Sequence, residues 1–462
     1  MDNKHTVHQA ILQKKQDNLE NDKSPGLSWW QLSLIGIGSI IGAGFFLGTG
    51  LSIHTAGPAI LIDYLLAGIT AFIVFSALAE MTVRDPVQGS FRTYAKKAFG
   101  NSMGFISGWM YWLSGVFIMS SEAVALGTFT KYWFPHVPLW IFTIIYVAIA
   151  FGINLLGAKN FGKIESTFAM IKLSTLVVFV LFGIILVMHF ISPHNVTLEG
   201  FTGFNPFFST GINGMWSALI FAFFSFGGIE VIGIASSELK HKSDVPKAGI
   251  GMLITLVSVY ILSIFFILYM VSWTRINEEQ SPFVLALNLF DIPYIGSVFN
   301  LIIISAAFST MVGALFSVTN IMVSLADDGD APKTFGKKNQ KGTAYKALFV
   351  TGLALALSLI LSFILPGKIY EYITTAAGVL MILNWVTILS SQIKLRRAAT
   401  QKSKTFKMPG SPYTSLLGIG LILIAVSGGM FHSTQRMGVL ISLGLIGVIF
   451  LSYHLILKKR HS

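Results

Sequence analysis

Long apolar runs separated by short polar loops dominate the chain. Runs long enough to cross roughly 30 Å of hydrocarbon, at about 1.5 Å of helix per residue, recur near 28–51, 57–82, 102–130, 138–157, 164–190 and 213–237. Six more lie near 247–272, 295–325, 345–365, 369–392, 412–430 and 437–457. The pattern predicts an all-α integral membrane protein with about twelve transmembrane helices and no soluble module. The loop between the seventh and eighth runs is longer, and its SPFVLAL segment is itself partly apolar.

Composition agrees. A chain of 462 residues that is 53% hydrophobic and 11% charged lies outside the range of soluble globular proteins, and its mean hydropathy of +0.71 says the same. The 44 glycines suit helices that approach closely in a bilayer. With no cysteine, disulfides, thiol catalysis and cysteine-ligated metal are excluded, although no compartment is chosen. The first 25 residues are polar and lack an apolar core, so no removable signal peptide is expected there.

A net charge of +12 raises the question of nucleic acid, and topology answers it. Lys and Arg counted over alternating loops sum to 27 on one side and 4 on the other, the remaining one of 32 being Lys172 within a span. Cytoplasmic loops carry such an excess, and one missed helix would scramble the alternation. No nucleic-acid partner is therefore expected. The reading is a multi-pass protein of the cell membrane with both termini cytoplasmic: a tail at 1–27, a core of ten helices at 28–393, and two further helices with the C-terminus at 394–462.

Two spans are interrupted. The first carries Gly36, Gly38, Gly42 and Gly44 at its centre, and the sixth carries Gly227 and Gly228 side by side with Gly233 beyond them. Each glycine weakens a helix by about 1 kcal/mol relative to alanine. Glycines that serve only helix packing are the alternative for either span alone. Breaks at matching places, first and sixth, are the sign of an inverted-repeat transporter in which spans 1 to 5 mirror spans 6 to 10. Unwound backbone persists in hydrocarbon only where it lines a cavity. Free N–H groups at one half-helix end favour a carboxylate, and free carbonyls at another favour an ammonium. A zwitterion fits such a pair. The Gly36-x-Gly38 spacing, with Asp63 further on, faintly imitates a dinucleotide fingerprint, but no βαβ context surrounds it.

The strings GLSWWQLSLIGIGSIIGAGFFLGTG, AEMTVRDPVQGSFRTYAKKAFG, GWMYW, FSFGGIEVIGIASSE, DVPKA, SPFV and LADDGDAPKTF resemble, in order from about residue 26 to 410, the bacterial amino acid transporter family of the amino-acid/polyamine/organocation superfamily. The resemblance implies the leucine-transporter type of five-plus-five inverted repeat and uptake of amino acids, usually with protons. It places the substrate carboxylate on the backbone of Ile41, Gly42, Ala43 and Gly44. It brings the α-ammonium to the carbonyls of Ile40, Phe224 and Gly227, with the Phe224 ring closing over the substrate and Ser39 and Ser225 flanking the breaks. One departure stands out: AAFSTMVGALFSVTNIMVSLADDGDAP lacks the arginine the family usually has before its acidic turn, which leaves the gating contacts of span 8 open.

Ionisable residues at membrane depth are costly enough to be functional candidates. Lys172 matches a lysine that, in related transporters, sits against span 1 where sodium-coupled relatives hold a cation; a lysine there would load and release the coupling proton. A snorkelling lysine is the alternative. Glu122 and Glu230 are the acidic candidates, for proton handling, for substrate contact or as partners of backbone groups exposed by a break. Were both to face the substrate side chain, a cationic amino acid would fit, whereas Phe117, Phe221, Phe223 and Phe224 tilt the reading toward a neutral one. Asp63 and Glu80 read as hydrated or ion-paired ends of span 2, Glu80 near Arg84, and Lys159 and Lys163 as loop charges. His189 and His194 read as interfacial, and no histidine spacing suggests a metal.

No GxxxxGK[ST] loop, HExxH or polar catalytic cluster is present, so the expectation is a secondary transporter rather than an enzyme, without cofactor. The leading reading is a proton-coupled amino acid permease in the lipid bilayer, of open oligomeric state. An exchanger, a cationic amino acid or amine transporter, and from another class a non-transporting sensor or a membrane enzyme are the alternatives. The cysteine-free chain tests its own topology. Single cysteines placed at Lys338 and at His136 should react with an impermeant maleimide from the cytoplasmic face and the outer face respectively; labelling from one common face would overturn the twelve-span parity.

Overall fold

The computed structural model describes residues 27–87, 89–155, 161–188, 203–236, 239–290, 292–339, 342–364, 369–398 and 406–457. The tail at 1–26, Lys159, His189 and His194 lie outside them. The helices that matter here are α1 (Trp29–Ile40), α2 (Ala43–Phe46), α3 (Gly48–Ala56), α4 (Ile60–Arg84), α5 (Ser90–Phe99), α6 (Asn101–Thr130), α7 (Leu139–Leu155) and α8 (Phe161–Val187). They continue with α9 (Gly211–Phe224), α10 (Val231–Ala235), α11 (Val245–Met270), α12 (Pro282–Leu287), α13 (Ile295–Asp327), α14 (Tyr345–Ile364), α15 (Ile369–Arg397), α16 (Tyr413–Gly428) and α17 (Ser433–Ser452).

Eight helical stretches among the described residues are long and apolar enough to cross a membrane, and α7, α14 and α16 are shorter apolar helices. One of the eight, Ala43–Arg84, holds the end of span 1 and all of span 2. Gly57, at φ +62°, and Pro58 divide the two. With α1 completing span 1, and α9 and α10 forming span 6, twelve spans result. Span 5 starts at Phe161, so Lys163 falls in its first turn rather than in the preceding loop.

Local chemistry fixes the ends. The Ser28 N–H donates to Gln31 Oε1 at 2.9 Å, closing the first turn of α1. Pro246 enters the first turn of α11, where its missing N–H costs no helical bond. Between spans, glycine sets how close the helices come. A Cβ on Gly249 of α11 would fall 1.9 Å from the Phe75 ring of α4, one on Gly68 2.5 Å from Val257, and one on Gly115 of α6 2.1 Å from Val318 of α13. Spans 2 and 7, and spans 3 and 8, therefore touch nearly backbone to side chain.

The end of the bundle that carries α5 is held by ion pairs that the loop pattern did not reveal. The segment after span 2 forms α5, whose Arg92 is 1% exposed. Its guanidinium meets Asp328 at 2.9 Å and Asp330 at 2.5 Å, pinning α5 to the end of α13. Burial pushes the Asp328 carboxyl up, but Arg92 and Lys96 outweigh it and hold the group below the usual range. Glu80 is ion-paired as expected, yet its partner is Arg396 at 3.3 Å, with Gln392 Nε2 and the Met408 N–H each at 2.9 Å. Arg84 is exposed. Asp63 is not a hydrated end: it is fully buried, and neither carboxylate oxygen has a partner among the described residues.

If the Gly249–Phe75 contact sets the spacing of spans 2 and 7, Gly249→Ala should lower the thermal unfolding midpoint in detergent, at a cost of about 1–3 kcal/mol. Phe75→Leu in the same chain should restore most of the loss; an unrestored double variant would locate the damage elsewhere.

Candidate functional site

The two breaks meet. Helix α1 ends at Ile40, Ile41 and Gly42 run extended, and α2 starts at Ala43. In span 6, α9 ends at Phe224 and α10 resumes at Val231. Gly228 sits at φ +106°, where a side chain is strained, and a Cβ there would stand 3.0 Å from the Ser39 carbonyl oxygen. The Ser225 hydroxyl donates to the Gly44 carbonyl at 2.9 Å and lies 2.8 Å from the Tyr64 hydroxyl, which also meets Thr49 at 2.9 Å. The Phe224 ring stands against Gly44, with Cε1 3.0 Å from where a Cβ would be. Ser39 turns away, donating to Ile35 O at 2.9 Å within its own helix.

Between the breaks lies a cavity of about 60 Å³. Span 1 contributes Ser39, Ile40 and Gly44, and span 6 contributes Phe224, Gly227, Gly228, Glu230 and Val231. Spans 3 and 8 supply Tyr111, Ile118 and Glu122, and Thr310 and Ser317. The wall thus brings together Ser39, Ile40, Gly44, Phe224, Gly227, Glu122 and Glu230 from the sequence-derived set. Ile41, Gly42, Ala43 and Ser225 are not part of that lining, and Phe117, Phe221 and Phe223 are absent from it too. Phe223 is buried beside Trp385 instead.

Several loose ends of the first break have side-chain partners. Glu122, 2% exposed, accepts the Ala43 N–H with both oxygens, at 3.0 and 3.1 Å. Tyr370 of α15 donates to the Ala43 carbonyl at 2.9 Å. Lys172, 0% exposed, donates to the Gly38 carbonyl at 2.6 Å and to the Thr310 hydroxyl at 2.8 Å. Thr310 in turn donates to the Ile41 carbonyl at 2.9 Å. Lys172 is therefore no snorkelling residue. Its nearest carboxylate is Glu165 of the same helix, at 3.9 Å. At the second break the Gly227 N–H donates to the Phe224 carbonyl at 2.9 Å, and Trp385 Nε1 reaches Glu230 Oε2 at 3.4 Å.

Sequence reasoning missed Thr310, Tyr370, Glu165, Tyr64 and Trp385. Thr310 carried a usable signal, since a hydroxyl at membrane depth needs an acceptor. Tyr370 and Trp385 carried none, because aromatic residues abound throughout these spans. The described residues contain no group of three or more side chains that could hold a metal.

The amino acid permease family model matches residues 31–462. The chain belongs to the amino acid permease family. The permease is 40% identical over 435 residues to the uncharacterized transporter YcgH of Bacillus subtilis, covering 94% of this chain and 95% of that one. It is 30% identical to the probable threonine/serine transporter YbxG of the same organism, over 93% of this chain and 94% of that one. It is also 30% identical to the aromatic amino acid transport protein AroP of Escherichia coli, over 92% of each. Its fold is that of the family: twelve transmembrane helices of the leucine-transporter type, with spans 1 and 6 broken. The permease is a membrane transporter and not an enzyme.

If Thr310 links Lys172 to the end of α1, Thr310→Val should leave a buried ammonium one acceptor short. Thermal unfolding should show a loss of about 1–3 kcal/mol. An unchanged midpoint would mean that the Gly38 carbonyl suffices.

Proposed function

We propose that the permease takes up a neutral amino acid together with protons, by alternating access around the cavity between the two breaks. The observation that carries this reading is Lys172. A fully buried ammonium bonded to the Gly38 carbonyl and to Thr310 sits beside the break, where a bound cation would otherwise hold the unwound end of α1. On this reading the substrate carboxylate is held by backbone at Ile41, Gly42, Ala43 and Gly44. Its ammonium meets the carbonyls of Ile40, Phe224 and Gly227, the Phe224 ring closes over it, and Ser39 and Ser225 flank the site.

A neutral side chain fits the lining, which presents carboxyl groups from Glu122 and Glu230 but whose apolar contributors include Ile40, Ile118, Phe224 and Val231. Relatives named for threonine and serine and for aromatic amino acids point the same way. Lys172, Glu122 and Glu230 share the proton handling, with Lys172 governing return of the empty carrier. The core at 28–393 carries transport, spans 11 and 12 flank it, and both termini face the cytoplasm of the cell whose membrane holds the protein.

Uptake of labelled amino acids into proteoliposomes, with and without an imposed proton gradient, tests this. Gradient-driven accumulation of a neutral amino acid is expected. Lys172→Ala should abolish that accumulation while leaving exchange of internal for external amino acid. Uptake that requires preloaded amino acid in the wild type would make the protein an exchanger, and an unaltered proton dependence in Lys172→Ala would remove the lysine from the coupling.

A further inference from the structure

The position of Glu122 conflicts with a simple vacant seat for the substrate. Its carboxylate bonds the Ala43 N–H with both oxygens, at 3.0 and 3.1 Å. It lies hard against the unwound backbone, since a Cβ on Gly42 would fall 2.4 Å from its Oε1. Glu122 also lines the cavity. A substrate whose α-carboxylate takes the backbone donors around Ala43 must use the N–H that Glu122 already holds. One N–H cannot serve two carboxylates well, and two anions at one seat in a buried cavity repel strongly.

We infer that Glu122 is the resident occupant of the carboxylate seat, and that its protonation, by releasing the Ala43 N–H to the substrate, ties one proton to one substrate molecule. This rests on the amino acid reading above. The exchange balances. A proton adds to a Glu122 oxygen, the bond from the Ala43 N–H to Glu122 breaks, and a bond from the same N–H to the substrate carboxylate forms. The seat holds one carboxylate charge before and after, so no net anion is brought into the cavity.

Other titratable groups near Glu122 bond elsewhere. Lys172 on α8 is turned to the Gly38 carbonyl and Thr310, with Glu165 behind it. Tyr370 on α15 donates to the Ala43 carbonyl rather than competing for its N–H. Tyr260 on α11 stacks on Phe45. Glu230 on the opposite wall is held by Trp385. None of them bonds the Ala43 N–H.

The test is binding of the twenty labelled amino acids to the purified full-length protein, from mildly acidic to mildly alkaline buffer. For a wild-type substrate, affinity should fall by about tenfold per pH unit once Glu122 is ionised, as linkage to one proton requires. Glu122→Gln, uncharged, should flatten that dependence and bind more tightly than the wild type in alkaline buffer. Glu122→Asp, one methylene too short for the seat, should likewise bind more tightly there, and serves if the glutamine variant does not fold. Folded variants that keep the wild-type pH dependence overturn the inference, as do variants with unchanged melting that lose binding at every pH, since Glu122 would then help hold the substrate. A wild type that binds none of the twenty overturns the amino acid reading itself.

Discussion

A backbone N–H or C=O left without a partner in hydrocarbon costs several kcal/mol, and this chain opens two of its helices at the middle of the membrane. A set of buried polar side chains answers that constraint. Four spans converge on the first break: α6 through Glu122, α8 through Lys172, α13 through Thr310 and α15 through Tyr370. The second break needs fewer outside partners because its turn bonds itself: the Phe226, Gly227 and Val231 N–H groups donate to the Phe223, Phe224 and Gly228 carbonyls. Glu122, Lys172, Thr310 and Tyr370 are thus tied to the unwound backbone, whatever else they do in transport.

These contacts fall into two sets with different consequences under alternating access. Ser225 to Gly44, the Tyr64 hydroxyl between Ser225 and Thr49, and the approach of Gly228 to Ser39 join spans 1, 2 and 6 to one another. They can survive a rocking motion intact. The bonds from Glu122, Lys172, Thr310 and Tyr370 join span 1 to spans 3, 5, 8 and 10, and the proposed alternating access would remake any of them that crosses between moving parts. Two of the four end on charged side chains. In the proposed function, protonation at either would alter the joint between the moving parts.

The spans themselves were legible because hydrophobic length reports the solvent directly. The ends of α6, α11 and α13 fall within two residues of the apolar runs that announced them, and paired glycines disclosed the breaks. Partners were less legible, since a residue's type states that it needs one but not which. Glu80 called for a cation, and the nearby Arg84 was the economical choice; the fold supplied Arg396, 316 positions away. Arg92 looked like one more cytoplasmic charge and proved to be buried between Asp328 and Asp330. Asp63 misled in the opposite sense, because its place near a helix end suggested water that the packing of span 2 excludes.

In the proposed function the seat for the shared part of an amino acid is main chain, and main chain is indifferent to what the substrate carries beyond its α-carbon. That indifference explains how proteins 30% identical to this one carry names as different as threonine/serine and aromatic amino acid transporters. On that proposal selectivity resides in side chains that meet the remainder of the substrate, and the cavity wall offers, among others, Tyr111 and Ile118 on α6, Val231 on α10, and Ser317 and Val318 on α13. Glu122 stands apart from them because it engages the seat itself. A carboxylate that occupies the common seat competes with every amino acid alike, so it can govern when a substrate enters without influencing which one does.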